Sequence, residues 1–475
     1  MLLSERKCES QGRNFNETFS DQFVLSKNVE NLPKLWEVKK AGEYLIAFHP
    51  RCKFTPVFDQ EKNLIGQLLG VAIDKDGRFV FPDLILNSKK GDPKLYDEVE
   101  SFVEGCAGRF ILFLLDCDAP RLYFDAIADY SACYNSKEKI VASTPGFATT
   151  NVSGFDPSGY FDEDAMINGS ASYIFGISPD KNISFVRGNH YLDLNSYKLI
   201  RHWPNASVDI TPARGKVGDA TLFISKRLQS ILSEIVRTQP YLFALSGGRD
   251  SRVLLGCSLA SERPISHCYS HWFHHASKVD MQIAQKIASH VGIAHISVVS
   301  RPGAEADIQR FLLQNGHSLY GSAVRPNHLE DIMPQNQVLV RGNVMGLMRA
   351  INWRGQSYGK FNINHALKRL RAVPLPERHP EYAEKLRSEY QQYYSNLPEE
   401  AKPLAYDFAW LETQLTQAQG VRHYSTSGSF VINPFTDRAL IAATLRIPPS
   451  LRFGDEIYDE LLRQTRPDLM EFEYN

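Results

Sequence analysis

No Cys-x-x-Cys pair occurs among the seven cysteines, which stand at 8, 52, 106, 117, 133, 257 and 268. The odd count and scattered spacing argue against a disulfide scaffold and a structural zinc site, and point to a reducing compartment. No apolar run approaches the roughly 18 residues that a membrane-spanning helix needs, the best being residues 110–115. Glu5, Arg6, Lys7 and Glu9 leave the start of the chain without a signal-peptide core. Charge excess is missing as well. With 53 Lys and Arg against 54 Asp and Glu, the formal net charge is -1, whereas a protein devoted to nucleic acid carries a basic surplus. Internal repeats and low-complexity tracts are absent too. The expectation is a soluble cytoplasmic protein with no membrane span and no nucleic-acid partner.

What is present suits ordinary globular cores. The 475 residues, 43% apolar and 23% charged, are enough for two domains. Between residues 44 and 204 the pattern is short and β-like, with strands expected at 44–48, 64–73, 110–116, 121–125 and 139–142. Asp74-Lys75-Asp76-Gly77 and Asp116-Cys117-Asp118-Ala119-Pro120 supply turns between them. The stretch 205–218 is polar and carries Pro212 and two glycines, which suits a linker. An amphipathic helix is expected over 221–237. Beyond it strands at 265–269, 295–299 and 338–340 alternate with helical segments such as 278–291. That alternation implies a parallel sheet with crossover helices, and ligands at the C-terminal ends of its strands. From residue 362 onward the pattern is largely helical, broken by Pro374, Pro376 and Pro380. Residues 381–394 read as a charged, solvated face.

The most informative segment lies between those parts. Leu242, Phe243, Ala244 and Leu245 form a short apolar run that reads as a buried strand, stops at Ser246-Gly247-Gly248, and gives way to a helical pattern at Val253. A strand, a tight glycine turn and a helix N-terminus together make an anion site, because backbone N–H groups and the helix dipole converge there. Ser246 and Ser251 add hydroxyl donors. Asp250 would repel a bare phosphate, and an acid there suits a Mg²⁺ ion bound to phosphates. The loop lacks the Lys-Ser or Lys-Thr pair of a Walker sequence.

Ser246-Gly247-Gly248-Arg249-Asp250-Ser251 instead resembles the pyrophosphate loop of N-type ATP pyrophosphatases, and the wider chain is similar to the asparagine synthetase B family. Gly108 to Asp116, Arg121-Leu122-Tyr123-Phe124-Asp125 and Ile140 to Ser143 look like paired strands of that family's N-terminal sandwich. Asp280, Ala284, Ile287, Ala288, Gly292 and His295 resemble its helix after the loop, while Arg422, Gly428 and Pro434-Phe435-Thr436-Asp437 resemble its C-terminal signature. The resemblance implies an α/β and α+β protein. An amidotransferase-like (Ntn-type) β-sandwich over 1–204 and a linker over 205–220 would precede a parallel-sheet ATP pyrophosphatase (adenine nucleotide α-hydrolase-like) domain over 221–475. It further implies ATP and Mg²⁺ as cofactors. Ser246, Gly247, Gly248, Asp250, Ser251, Ser270 and Gly342 would form the nucleotide site, with Asp250 as metal ligand and Asp250 and Arg341 as catalytic candidates. The implied substrate is a small-molecule or peptide carboxylate joined to an amine of unknown source.

Departures from the family are equally informative. The chain begins Met1-Leu2-Leu3-Ser4 and not Met-Cys, so Cys8 is not an N-terminal nucleophile and glutaminase activity is not expected. β-Lactam synthetases and lasso-peptide cyclases lack that cysteine too. The family's acidic Ser-Gly-Glu-Gly-x-Asp-Glu is replaced by Val340-Arg341-Gly342-Asn343-Val344-Met345-Gly346. Arg341 suits direct phosphate binding, or else a structural ion pair. Phe430-Val431-Ile432 stands where the family has Glu-x-Arg, and Gly454-Asp455-Glu456 where a lysine is expected. Arg249 and Arg252 are candidate compensations, or surface residues of the helix, the latter favoured for Arg252. His271, His274 and His275 border the expected adenine pocket, where Trp272 or Phe273 could pack on the base, and lack the carboxylate or cysteine partners of a metal site. Tyr390, Tyr393 and Tyr394 share one helix face and read as packing. The expected function is an ATP-dependent amide-forming ligase. The alternative is a pseudo-synthetase of the same fold that binds or regulates without catalysis.

Overall fold

The computed structural model describes residues 1–159, 173–272, 275–299, 304–319, 335–370, 380–425 and 428–475. Short strands in the first two hundred residues pair into two sheets. One runs in the spatial order Ile183–Phe185, Cys133–Asn135, Ile140–Ala142, Phe23–Ser26, Tyr44–Phe48 and Glu37–Ala41. The other runs Lys198–Arg201, His190–Asp193, Arg121–Phe124, Ala107–Leu114, Leu64–Ile73, Phe54–Phe58 and Leu84–Ile85. Every pairing is antiparallel except that of the last two strands. Their inner faces share one core, in which Phe23, Leu25 and Ile46 meet Leu69, Ile111 and Phe113. Phe23 and Phe113 touch edge to face at 5.5 Å between ring centroids. The outer face of the second sheet is covered by the helix Lys94–Glu104, which buries Leu95, Val99 and Val103, a stripe at four-residue spacing.

The expected alternation of strands and helices is a five-stranded, fully parallel sheet. Its order is Ala294–Val299, His267–Trp272, Tyr241–Ala244, Gln337–Val340, Ser429–Ile432. The fifth strand lies in the stretch expected to be mainly helical, which corrects that expectation. Four residues are too few to display a period, and only pairing with Gln337–Val340 makes them a strand. Residues 381–394 also need correction. The helix Pro380–Ser395 buries Leu386, Tyr390 and Tyr393, and Phe175 meets the Tyr390 ring at 5.2 Å, so one face is core and not solvated. The amphipathic helix begins at Val217, inside the stretch read as a linker, and runs to Thr238. It lays Ile224, Leu228, Ile231 and Ile235 into the core beside the sheet.

Buried arginines tie the sandwich to the parallel-sheet unit. Arg438 is fully buried and donates to Asn189 Oδ1 at 3.0 Å, Val103 O at 3.1 Å and Phe124 O at 3.0 Å. Arg227 donates to Asp437 at 2.7 Å and to the carbonyls of Lys75 and Gly105 at 3.1 Å each. The sheet order places the motif strand Tyr241–Ala244 at the centre, with Gln337–Val340 on one side and His267–Trp272 on the other. The residues that follow all three therefore emerge along one edge. Among the described residues, no helix is long and apolar enough to cross a membrane.

Candidate active site

The loop after Tyr241–Ala244 is held in a curl by its own side chains. The Ser246 N–H donates to Ser251 Oγ at 3.1 Å, the two hydroxyls lie 3.0 Å apart, and the Gly248 N–H donates to Ser246 Oγ at 3.2 Å. The Gly247 N–H donates to Asp280 Oδ1 at 3.0 Å, which ties the loop to the helix His275–Val291. Asp280 is the acid that heads the family-like helix pattern, and here it braces the loop. A Cβ on Gly247 would stand 2.9 Å from Ile283 Cδ1 and 3.1 Å from Asp280 Oδ1, so a side chain there would push Ile283 and Asp280 aside. Gly248 is the N-cap of the helix Arg249–Leu259, and the loop thus enters the helix N-terminus as the strand-turn-helix pattern implies.

Asp250, in the first turn of that helix, has both carboxylate oxygens engaged. Arg349 donates to Oδ2 at 2.8 Å, and the Tyr458 hydroxyl donates to Oδ1 at 2.6 Å. Burial raises the Asp250 pKa, while Arg349 and Tyr458 oppose the shift. Burial, followed by the charge of Asp250, pushes the Tyr458 hydroxyl well above the ordinary tyrosine range. Neither Arg349 nor Tyr458 was among the residues singled out from the sequence. They lie 99 and 208 positions from Asp250, and no local pattern marks them.

The two arginines of the loop helix part ways. Arg249 is ion-paired with Asp455 and has the Tyr474 ring 4.2 Å from its guanidinium carbon. Asp455 belongs to the Gly454-Asp455-Glu456 stretch, so Arg249 brings a cation to that place. Arg252, favoured as a surface residue, is instead fully buried. It donates to the carbonyls of Gly247 at 3.0 Å, Phe472 at 2.7 Å and Glu473 at 2.8 Å, clamping the C-terminal segment under the loop. Its spacing carried no sign of this, because the C-terminal partners are backbone carbonyls more than 200 residues away.

At the end of the neighbouring strand, the Arg341 N–H donates to Ile432 O and its Nε to Tyr269 Oη at 3.3 Å. Burial, then the charge of Arg341, lowers the pKa of nearby Arg422. Gly342 backs onto the loop helix: a Cβ there would stand 3.0 Å from Leu254 Cδ1 and 3.5 Å from Asp250 Cβ. Ser270 is buried, donates to Leu245 O at 2.6 Å and lies 2.9 Å from His295 Nε2, so its hydroxyl braces the strand ends. The structure therefore gathers Ser246, Gly247, Gly248, Asp250, Ser251 and Gly342, with Ser270 as a brace. His274 and Phe273 lie outside the described residues. Cys8 is buried, hydrogen-bonded to Arg13 O and Thr18, and its thiol pKa is raised by burial.

The donor set suits a divalent cation poorly. Among the described residues, no three His, Cys, Asp or Glu side chains come together as ligands. Mg²⁺ in nucleotide sites is held by one or two carboxylates plus phosphates, and the loop's one carboxylate, Asp250, is already held by a guanidinium and a hydroxyl. Asp280 accepts the Gly247 N–H through Oδ1 and braces the loop. Positive charge near the loop comes instead from Arg249, Arg252 and Arg349.

Residues 228–314 match the family model described as Asparagine synthase. The matched stretch contains the motif strand, the Ser246–Ser251 loop, the loop helix and the next two strands. No curated protein sequence matches the chain. The match supports an asparagine synthetase-like family and, with it, an enzyme of the ATP-dependent amide-ligase type. The family's use of ATP supports ATP as its substrate or cofactor.

Proposed function

We propose that this chain is an ATP-dependent amide-forming ligase that adenylates a carboxylate. The carboxylate oxygen attacks the α-phosphorus of ATP, the bond to the bridging oxygen breaks, and pyrophosphate leaves. An amine then attacks the acyl carbon, AMP departs with the bonding electron pair, and the amine's proton goes to a base or solvent. The single observation that carries this reading is the Ser246–Ser251 loop at the C-terminal edge of a parallel sheet, inside the stretch that matches the family model. Ser246, Ser251 and the Gly247 and Gly248 backbone would cradle the departing pyrophosphate. Arg341, from the adjacent strand end, would approach it from the side. The chain's own contribution is alignment of the acid with the α-phosphorus and neutralisation of charge on the leaving group.

In this reading residues 1–204 form a degenerate amidotransferase-like sandwich, 205–216 a linker, and the part from the helix Val217–Thr238 onward the synthetase unit. Burial of Cys8 supports a sandwich without glutaminase chemistry. The acid and amine of the β-lactam synthetase and lasso-cyclase logic would then belong to one substrate.

The test is calorimetric titration with ATP in magnesium buffer, followed by pyrophosphate release with a panel of carboxylates. Saturable binding that Asp250→Ala weakens, without a change in the far-ultraviolet spectrum, is expected. Absence of binding at millimolar ATP would overturn the proposal. The engagement of Asp250 by Arg349 favours a second reading, a pseudo-synthetase that binds nucleotide without turnover; binding with no pyrophosphate release would support it.

A further inference from the structure

The loop's carboxylate already carries a cation, and that cation is part of the chain. Arg349 ends the short helix Asn343–Arg349, which follows the strand Gln337–Val340 where the family would place further acids. Its guanidinium holds Asp250 Oδ2 at 2.8 Å, yet the side chain remains 43% exposed. The guanidinium is a planar fork that binds carboxylate with one edge and phosphate with another. Asp250 is fixed from its other oxygen by Tyr458, whose hydroxyl also lies 2.9 Å from Met345 O, so the Asp250 carboxylate has little freedom to turn toward a metal. Ala350, directly after Arg349, sits in the left-handed region at φ 43° and ψ 44° and is fully buried. That turn ends the helix with Arg349 directed back over the first turn of the loop helix.

We propose that Arg349, positioned by Asp250, takes the part of a divalent cation in this site, so that the chain binds the pyrophosphate group of its ligand without a metal ion. The inference rests on the pyrophosphate reading of the Ser246–Ser251 loop. Asp250 is then a positioning residue: it aims the guanidinium, while the loop's serines and backbone take the remaining phosphate oxygens. The acids missing after Val340 follow from the same exchange, because a site neutralised by arginine has no use for further carboxylates.

The experiment is titration of the full-length protein with inorganic pyrophosphate and with ATP, once in EDTA and once in millimolar magnesium, for wild type, Arg349→Ala and Arg349→Lys. Wild type is expected to bind pyrophosphate in EDTA within a few-fold of its affinity in magnesium. Arg349→Ala is expected to lose about 10- to 100-fold in EDTA, the worth of one charge-assisted contact. Arg349→Lys, which keeps a cation beside Asp250 and so guards against misfolding, is expected to retain part of the binding. Wild-type binding that appears only with magnesium, or that ignores Arg349→Ala, would overturn this inference and leave the ligase reading intact. Binding of neither ligand under either condition would overturn both.

Discussion

Asp437 closes the Pro434-Phe435-Thr436-Asp437 signature, and the structure gives it two tasks whose loss is separable. One oxygen caps the helix Arg438–Leu445, accepting from the Ala439 N–H at 2.7 Å and the Leu440 N–H at 3.1 Å. The other holds Arg227 Nε at 2.7 Å, with the Asp437 side chain fully buried and that of Arg227 8% exposed. Asp437→Ala removes a helix cap, worth about 1 kcal/mol, and strands a buried guanidinium, which costs about 3–5 kcal/mol. The sum of about 4–6 kcal/mol is a large part of the roughly 5–15 kcal/mol that holds a domain together. Asp437→Asn keeps the capping oxygen and should be milder by about 1 kcal/mol. Pairing Asp437→Asn with Arg227→Met removes both charges and should recover most of the loss. Urea unfolding followed by tryptophan fluorescence and circular dichroism would read all four proteins. If Asp437→Ala cost under about 1.5 kcal/mol, the buried-pair argument would fail; if Asn and Ala were equal, the capping argument would.

Gly247→Val should push the loop off Ile283 and Asp280, at about 1–3 kcal/mol of stability, and lower ATP affinity by about tenfold or more; calorimetry showing unchanged affinity would refute the close-packing account. His190 is held neutral by burial, then by the nearby charge of Arg201, with its pKa lowered from 6.5 to about 3. The unfolded chain therefore takes up a proton that the folded one refuses. Stability should fall as pH drops from 6.5 toward about 3, by at most about 1.4 kcal/mol per pH unit from this group. Urea midpoints at neutral and acidic pH should show a steeper decline in wild type than in His190→Gln, and identical slopes would contradict the assignment.

Period and turn chemistry made much of this molecule legible from its residues. The strands Tyr44–Phe48 and Leu64–Ile73 fall where alternation and apolar runs put them. The crossover helices and the parallel strands of the second unit follow from segments that alternate in length and period. Six consecutive residues, Ser246 to Ser251, locate the loop because strand, glycine turn and helix start are all local features. Failures occurred where identity depends on distant partners. Ser429–Ile432 is a strand only because Gln337–Val340 lies beside it. On the helix Pro380–Ser395 the tyrosines pack as their shared face implies, and only the reading of 381–394 as solvated failed, because its cover comes from elements far along the chain.

By itself, then, the sequence determined the layout of short strands, the parallel-sheet pattern and the anion loop, all of which depend on neighbours a few residues apart. Only tertiary structure decided the charges around the loop. It set Arg349 and Tyr458 on Asp250, Arg249 on Asp455, and Arg252 under backbone carbonyls of the C-terminal segment. A guanidinium reads the same in any sequence. Whether it faces solvent, a carboxylate or a row of carbonyls depends on which remote segments the fold brings within about 3 Å of it, and that is a property of packing.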